Sequence, residues 1–167
     1  MNNIVDIHLY VKVKEKQIGK IHYAVWGAWL DFRNDIFEKE LYGYLILDNF
    51  KKVSWDKKIY YHALTTVFND ITLQEPYDVC IYIDTEKSTT LISTFNTDIP
   101  YLSKKGWRNN RGNVVHHVES LKFFYEKINY HNSIRIYDKE VLDKPEQFNK
   151  SILLAEYIAG KTDTFYN

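Results

Sequence analysis

The chain has 167 residues, 45% hydrophobic and 26% charged, and its 22 basic and 22 acidic side chains leave no formal net charge. That size suits one domain with a real core, and the composition is that of an ordinary soluble globular protein, not a disordered or low-complexity one. Without net charge there is no global field to draw in a polyanion, so any nucleic-acid binding must come from a local patch.

The single cysteine, Cys80, excludes a disulfide framework within the chain and reads as an inert core thiol. The start Met1-Asn2-Asn3-Ile4 is not a basic segment followed by an apolar run, and no stretch approaches the ~20 apolar residues of a membrane span. The expected location is the cytoplasm, with no membrane partner. Fourteen Tyr, nine Phe and four Trp fit either an aromatic-rich core or a contact surface.

In chain order, residues 4–13 alternate loosely as a strand does, residues 14–19 form a turn with Gly19 near its end, and the aromatic, β-branched run 21–30 is the returning strand. Arg33-Asn34-Asp35 supplies the next turn, and residues 37–47 a third strand ended by Asp48-Asn49. The three make an antiparallel meander. Ser54 or Asp56 is positioned to cap a helix over 57–71, where Tyr60, Leu64, Val67, Phe68 and Ile71 recur at helical spacing. Residues 79–83 are almost continuously apolar, which suits a strand covered on both faces, and the run ends on Asp84. A short helix is expected over 88–95. A basic-aromatic loop follows over 103–113, then an amphipathic helix over 114–128 with Val114, Val118, Leu121, Tyr125 and Ile128 on one side. A strand over 133–137 comes next. Asp143-Lys144-Pro145 breaks the chain before a last helix over 147–161, stopped near Gly160. The reading is one domain over 1–167, a five-stranded mixed α/β sheet flanked by helices.

Ser103-Lys104-Lys105-Gly106-Trp107-Arg108 resembles the Lys-Lys-x-Gly-Trp-Lys "handle" of the ribonuclease H family, and Ala155-Glu156-Tyr157-Ile158-Ala159 resembles its Ala-Asp-x-Leu-Ala. The order β-β-β-α-β-α-α-β-α is also that family's. The resemblance implies Mg²⁺ ions held by about four carboxylates, on the first strand, the first helix, the fourth strand and the last helix, that hydrolyse the RNA of an RNA/DNA hybrid. Carried over residue by residue, Asp84 takes the fourth-strand place and Glu156 the last-helix place. The first-strand place falls on Tyr10 and the first-helix place on Tyr60 or Tyr61, with no acid at either. Asp6 lies four residues upstream of Tyr10, ~13 Å along the strand and too far to share the metals.

The leading expectation is therefore a degenerate, non-catalytic ribonuclease H-like module, set in a virus or mobile element, that binds nucleic acid or a protein and needs no cofactor. Asp84 and Glu156 would be catalytic, and Asp84 a metal ligand, only in an active member. Lys104, Lys105, Arg108 and Arg111, with Trp107 among them, are the candidate phosphate and stacking contacts. Two alternatives stand beside it. One is a working nuclease using Asp6, Asp84, Glu156 and one of Glu40, Asp138 or Asp143. The other is a purely protein-binding domain whose tyrosines fill the old cleft, with the aromatic hairpin at 23–29 as its first candidate surface. His62, His116 and His117 show no zinc spacing.

Overall fold

A computed structural model describes residues 3–15, 22–47, 55–72, 75–84 and 90–165. Its strands are β1 (Asn3–Glu15), β2 (His22–Phe32), β3 (Phe37–Leu47), β4 (Tyr77–Ile83) and β5 (Ser133–Asp138). They form one mixed sheet in the order β3-β2-β1-β4-β5, with β1 antiparallel to β2, β2 antiparallel to β3, and β4 parallel to both β1 and β5. The helices are α1 (Trp55–Thr72), α2 (Leu91–Ser93), α3 (Ile99–Lys104), α4 (Val118–Tyr130) and α5 (Glu146–Phe165). A π-helical segment, Thr94–Asp98, joins α2 to α3.

The main core lies on one face of the sheet. There Val5, Ile7, Leu9 and Val11 of β1 and Val79, Ile81 and Ile83 of β4 meet Ile59, Tyr60, Leu64, Val67, Phe68 and Ile71 of α1 and Leu121 and Phe124 of α4. The period-2 pleat sends Asp6, His8 and Tyr10 to the other face, which α5 covers. A smaller cluster of Tyr23, Val25, Ala155 and Ala159, with Tyr10 and Ile158 against it, is buried there. Small residues let α5 approach closely. A methyl at Gly27 of β2 would fall inside contact distance of the Ser151 carbonyl oxygen and 2.7 Å from the Ala155 nitrogen.

Several expected boundaries move. Val114 and Val115 are not helical: Val114 bridges Arg108, and α4 starts at Val118. The helical segment after β4 runs on to Lys104, so Ser103 and Lys104 belong to α3 and not to the loop. Pro100 stands where the π-helical segment passes into α3, just after the Ile99 N–H that reaches back to the Thr94 carbonyl. Ser54, residues 16–21 and Ser88 lie outside the described residues, while Asp56 falls inside α1 rather than before it. The hairpin at 23–29 is not a surface. β2 is an interior strand, and Tyr23, Val25, Trp26 and Ala28 are each at most 1% exposed.

Candidate nucleic-acid interface and the filled acid site

The sheet register assembles the acid site. β1 and β4 pair through His8↔Tyr82, and β4 and β5 through Ile83↔Asp138. Continuing each register brings Tyr10, Asp84 and Lys139 level in one row on the α5 side of the sheet. Asp84 is buried, and the Lys139 ammonium lies 3.4 Å from its carboxylate. Phe148, in the first turns of α5, closes the row: the Tyr10 ring meets it edge-on at 6.4 Å and Lys139 Nζ sits 5.6 Å above its centre. One row below, His8, Tyr82 and Tyr137 stack in succession, with centroid separations of 5.0 and 5.6 Å. Burial, and then the nearby Asp6 charge, push the Tyr82 hydroxyl up to about 12.

The other candidate acids, all among the described residues, do not converge on Asp84. Glu156 is exposed on α5, eight residues beyond Phe148 and therefore ~12 Å farther along the helix axis. Asp6 is held by the Arg33 guanidinium, through Nη2 at 2.8 Å and through Nε. That hydrogen bonding raises the Arg33 pKa further. Glu40 lies on the far edge strand, Asp143 is exposed in the loop before α5, and odd-even alternation puts Asp138 on the opposite face from Asp84. The first-helix place is filled by core aromatics. Tyr60 is 1% exposed, and Tyr61 packs edge-on against Phe124 and His117, where burial raises its hydroxyl pKa. Among the described residues, no three His, Cys, Asp or Glu side chains gather to hold a metal.

The donor set thus does not fit the Mg²⁺ that the fold family implies. A hard divalent ion needs several oxygen ligands. Among the described residues this row offers one carboxylate, already facing an ammonium, between a phenol and a benzyl ring. Sequence reasoning found the tyrosine at the β1 place but missed Lys139. Only the β4–β5 register reveals that the residue after β5 lies beside Asp84.

The handle is a tied hairpin. Gly106 and Trp107 both take left-handed backbone angles, φ 64° and 63°, and turn the chain sharply after α3. Asn109 Oδ1 accepts the backbone N–H of Arg111 (2.9 Å) and of Asn113 (3.0 Å). Arg108 Nη1 donates to the Gly112 carbonyl at 2.8 Å. Trp107 is half-buried, packed edge-on against Tyr125 at 5.8 Å and joined to the main core. That packing anchors the loop on α4. Lys104, Arg108 and Arg111 are exposed, as is Lys105, whose ammonium lies over the Tyr101 ring at 4.9 Å. Beside the hairpin an open groove of ≈ 680 Å³ runs between α1 and α4, with Lys57, Tyr101, Arg108, Asn110 and His116 on its walls. His116 is exposed and His117, also left-handed at φ 59°, precedes α4 instead of starting it.

No family model matches the chain, and a search of curated proteins also finds no match. Solved structures do match. The foamy viral protease-reverse transcriptase in complex with dsDNA aligns with TM-score 0.69 and 14% identity over 92% of both chains. The same enzyme in complex with an RNA/DNA hybrid aligns with TM-score 0.63 and 13% identity, over 93% of this chain and 20% of that one. LC9-RNase H1, a type 1 RNase H with the type 2 active-site motif, aligns with TM-score 0.69 and 12% identity, over 96% and 74%. The strand order, the helices on both faces and these alignments agree: the chain has the ribonuclease H-like fold.

Proposed function

We propose that this chain is a non-catalytic ribonuclease H-like module that binds nucleic acid through its handle and the adjoining groove. The observation that carries the reading is the Tyr10–Asp84–Lys139 row, where a fixed ammonium supplies the positive charge that a metal would supply in a working site. The binding half is supported by the local charge. From Ile99 to Val118 the chain has four cations, Lys104, Lys105, Arg108 and Arg111, and no acid, although the whole chain is neutral. The tied hairpin carries Arg108 and Arg111, Lys104 and Lys105 stand at the end of α3 beside it, and two of the similar structures are of complexes with dsDNA and with an RNA/DNA hybrid. Such contacts read phosphates and not bases, so binding is expected to be blind to sequence.

Fluorescence anisotropy with a labelled hybrid, duplex and single strand over a salt series tests this. If all four cations reach phosphates of a duplex, log K falls with log salt at a slope of about −3.6. Changing Lys104, Lys105, Arg108 and Arg111 together to Ala should flatten that slope. Absence of binding to all three ligands at low salt would remove the nucleic-acid half of the proposal and leave the fold and the filled acid site untouched.

A further inference from the structure

Exposed large apolar side chains gather along β3 and the outer flank of α5. Tyr42, Tyr44 and Ile46 are 45%, 49% and 51% exposed, and Leu153 and Tyr157 are 64% and 50% exposed. The three β3 residues alternate onto one face of the strand, while Leu41 and Leu45 turn inward to the main core. Leu153 and Tyr157 are one turn apart on α5, and the Tyr157 ring meets that of Tyr42 edge-on at 6.0 Å. The five side chains border a strand edge that no described strand pairs with.

The two edges of the sheet are built differently. β5 has 6 residues, carries Arg135 at its middle and ends at Asp138. β3 has 11 residues, and from Leu41 to Leu47 it carries no charge and no proline. Lysines, prolines, bulges or a short length normally protect an edge strand from pairing with another chain, and this half of β3 has none of the first two and is long. In its charged head Lys39 pairs with Asp70, and Glu38 with Lys150 at 3.8 Å and with Gln147 at 3.2 Å, while Glu40 is exposed.

We propose that β3 is a homodimer edge, pairing antiparallel with β3 of a second copy about a two-fold axis at Gly43. In that register Tyr42 lies opposite Tyr44 and Leu41 opposite Leu45, so aromatic faces aromatic and aliphatic faces aliphatic. Glu40 meets Ile46 and Lys39 meets Leu47, and no like charges oppose each other. The sequence is thus complementary to itself, as an isologous interface requires. Pairing over residues 39–47 covers a strip about 31 Å long. Three half-exposed tyrosines add about 300 Å² of contact, and with the strand edge, Ile46 and Leu153 each copy approaches the ~800 Å² of a stable specific interface. The dimer carries a continuous ten-stranded sheet, with the α5 helices of both copies on the same face.

Sedimentation velocity on the full chain, from about 1 to about 200 µM, tests the proposal. A reversible monomer–dimer equilibrium is expected, with no larger species because the two-fold contact closes. Tyr44→Lys/Ile46→Lys should remain monomeric throughout, with an unchanged far-ultraviolet spectrum. Hydrogen exchange on the unmodified chain gives a reading that does not depend on a variant folding: amides of 39–47 should be slower at the dimeric concentration than at the monomeric one. A chain monomeric at the highest concentration overturns the proposal. So do open-ended growth, a dimer that survives the double lysine change, and β3 amides whose exchange is independent of concentration.

Discussion

At the scale of single residues, two side chains sit where their chemistry works against them. Ile36, in the β2–β3 turn, is 95% exposed and has φ 49°. A β-branched side chain in the left-handed region is strained by about 1–2 kcal/mol relative to a residue that tolerates it. It buries almost nothing in return, so Ile36→Asn is expected to raise stability by about 0.5–1 kcal/mol in urea denaturation. His131 is the opposite case. It is 4% exposed, and its Nδ1 accepts the Tyr77 backbone N–H at 3.1 Å. Burial, assisted by the Lys127 charge, lowers its pKa from 6.5 to about 4. The folded chain therefore binds fewer protons than the unfolded chain between those values. Stability is fully present above pH 6.5 and falls as pH drops towards 4. Equilibrium unfolding at pH 7.5 and pH 5 should differ by on the order of 2 kcal/mol, with His8 adding in the same direction because burial lowers it too. In His131→Gln, which keeps an acceptor but does not titrate, that difference should shrink.

At the scale of elements, the decisive contact is α5 on β2. Buried Phe148, Ser151, Ala155 and Ala159 line one side of the helix, and Gly27 lets it approach. Gly27→Ala drives a methyl into the helix backbone, which cannot rotate away as a side chain can. The expected cost is about 3 kcal/mol, at the upper end for overpacking, read as a lowered unfolding midpoint. The same docking explains what was legible in the sequence and what was not. Period-2 and period-3.6 patterns placed β3 over Phe37–Leu47 and found every long helix, because burial of a face is written into spacing. Spacing could not say how far along the sheet α5 sits: Phe148 is the α5 residue that packs against Tyr10, and Glu156 is exposed eight residues beyond it. For Trp107 the loop's composition offered a stacking contact, and the partner it packs on, Tyr125, lies 18 residues away on α4, beyond what local spacing shows.

For the whole molecule, the parallel register of β1, β4 and β5 fixes the charge of the cleft. Tyr10 was legible as the β1 residue of the row, because an antiparallel hairpin is a local structure. Lys139 was not, because a parallel pairing depends on contacts that no nearby residues announce. The purified protein should not cleave an RNA/DNA hybrid above background with Mg²⁺ or Mn²⁺, because one carboxylate facing an ammonium cannot hold two divalent ions at a phosphate. Millimolar Mg²⁺ should also leave its melting temperature unchanged, since an ion that does not bind the native state cannot stabilise it. Cleavage that Asp84→Asn abolishes would overturn the non-catalytic reading.

The central position of β1 also dictates an order of assembly. Its antiparallel partner β2 begins at His22, within a hairpin's reach, but its parallel partner begins at Tyr77, opposite Asn3. Closing the second pairing brings together residues 74 apart, so its entropic cost precedes any contact that rewards it. The β1–β2–β3 meander can form early during synthesis, with Asp6, His8 and Tyr10 already projecting from one face. Until β4 docks, that meander has two open sides, the inner edge of β1 and the outer edge of β3. Only the first is closed by the chain's own later folding, so a ribosome-bound fragment ending before Tyr77 is the species with the most unpaired strand edge and the greatest need of a chaperone.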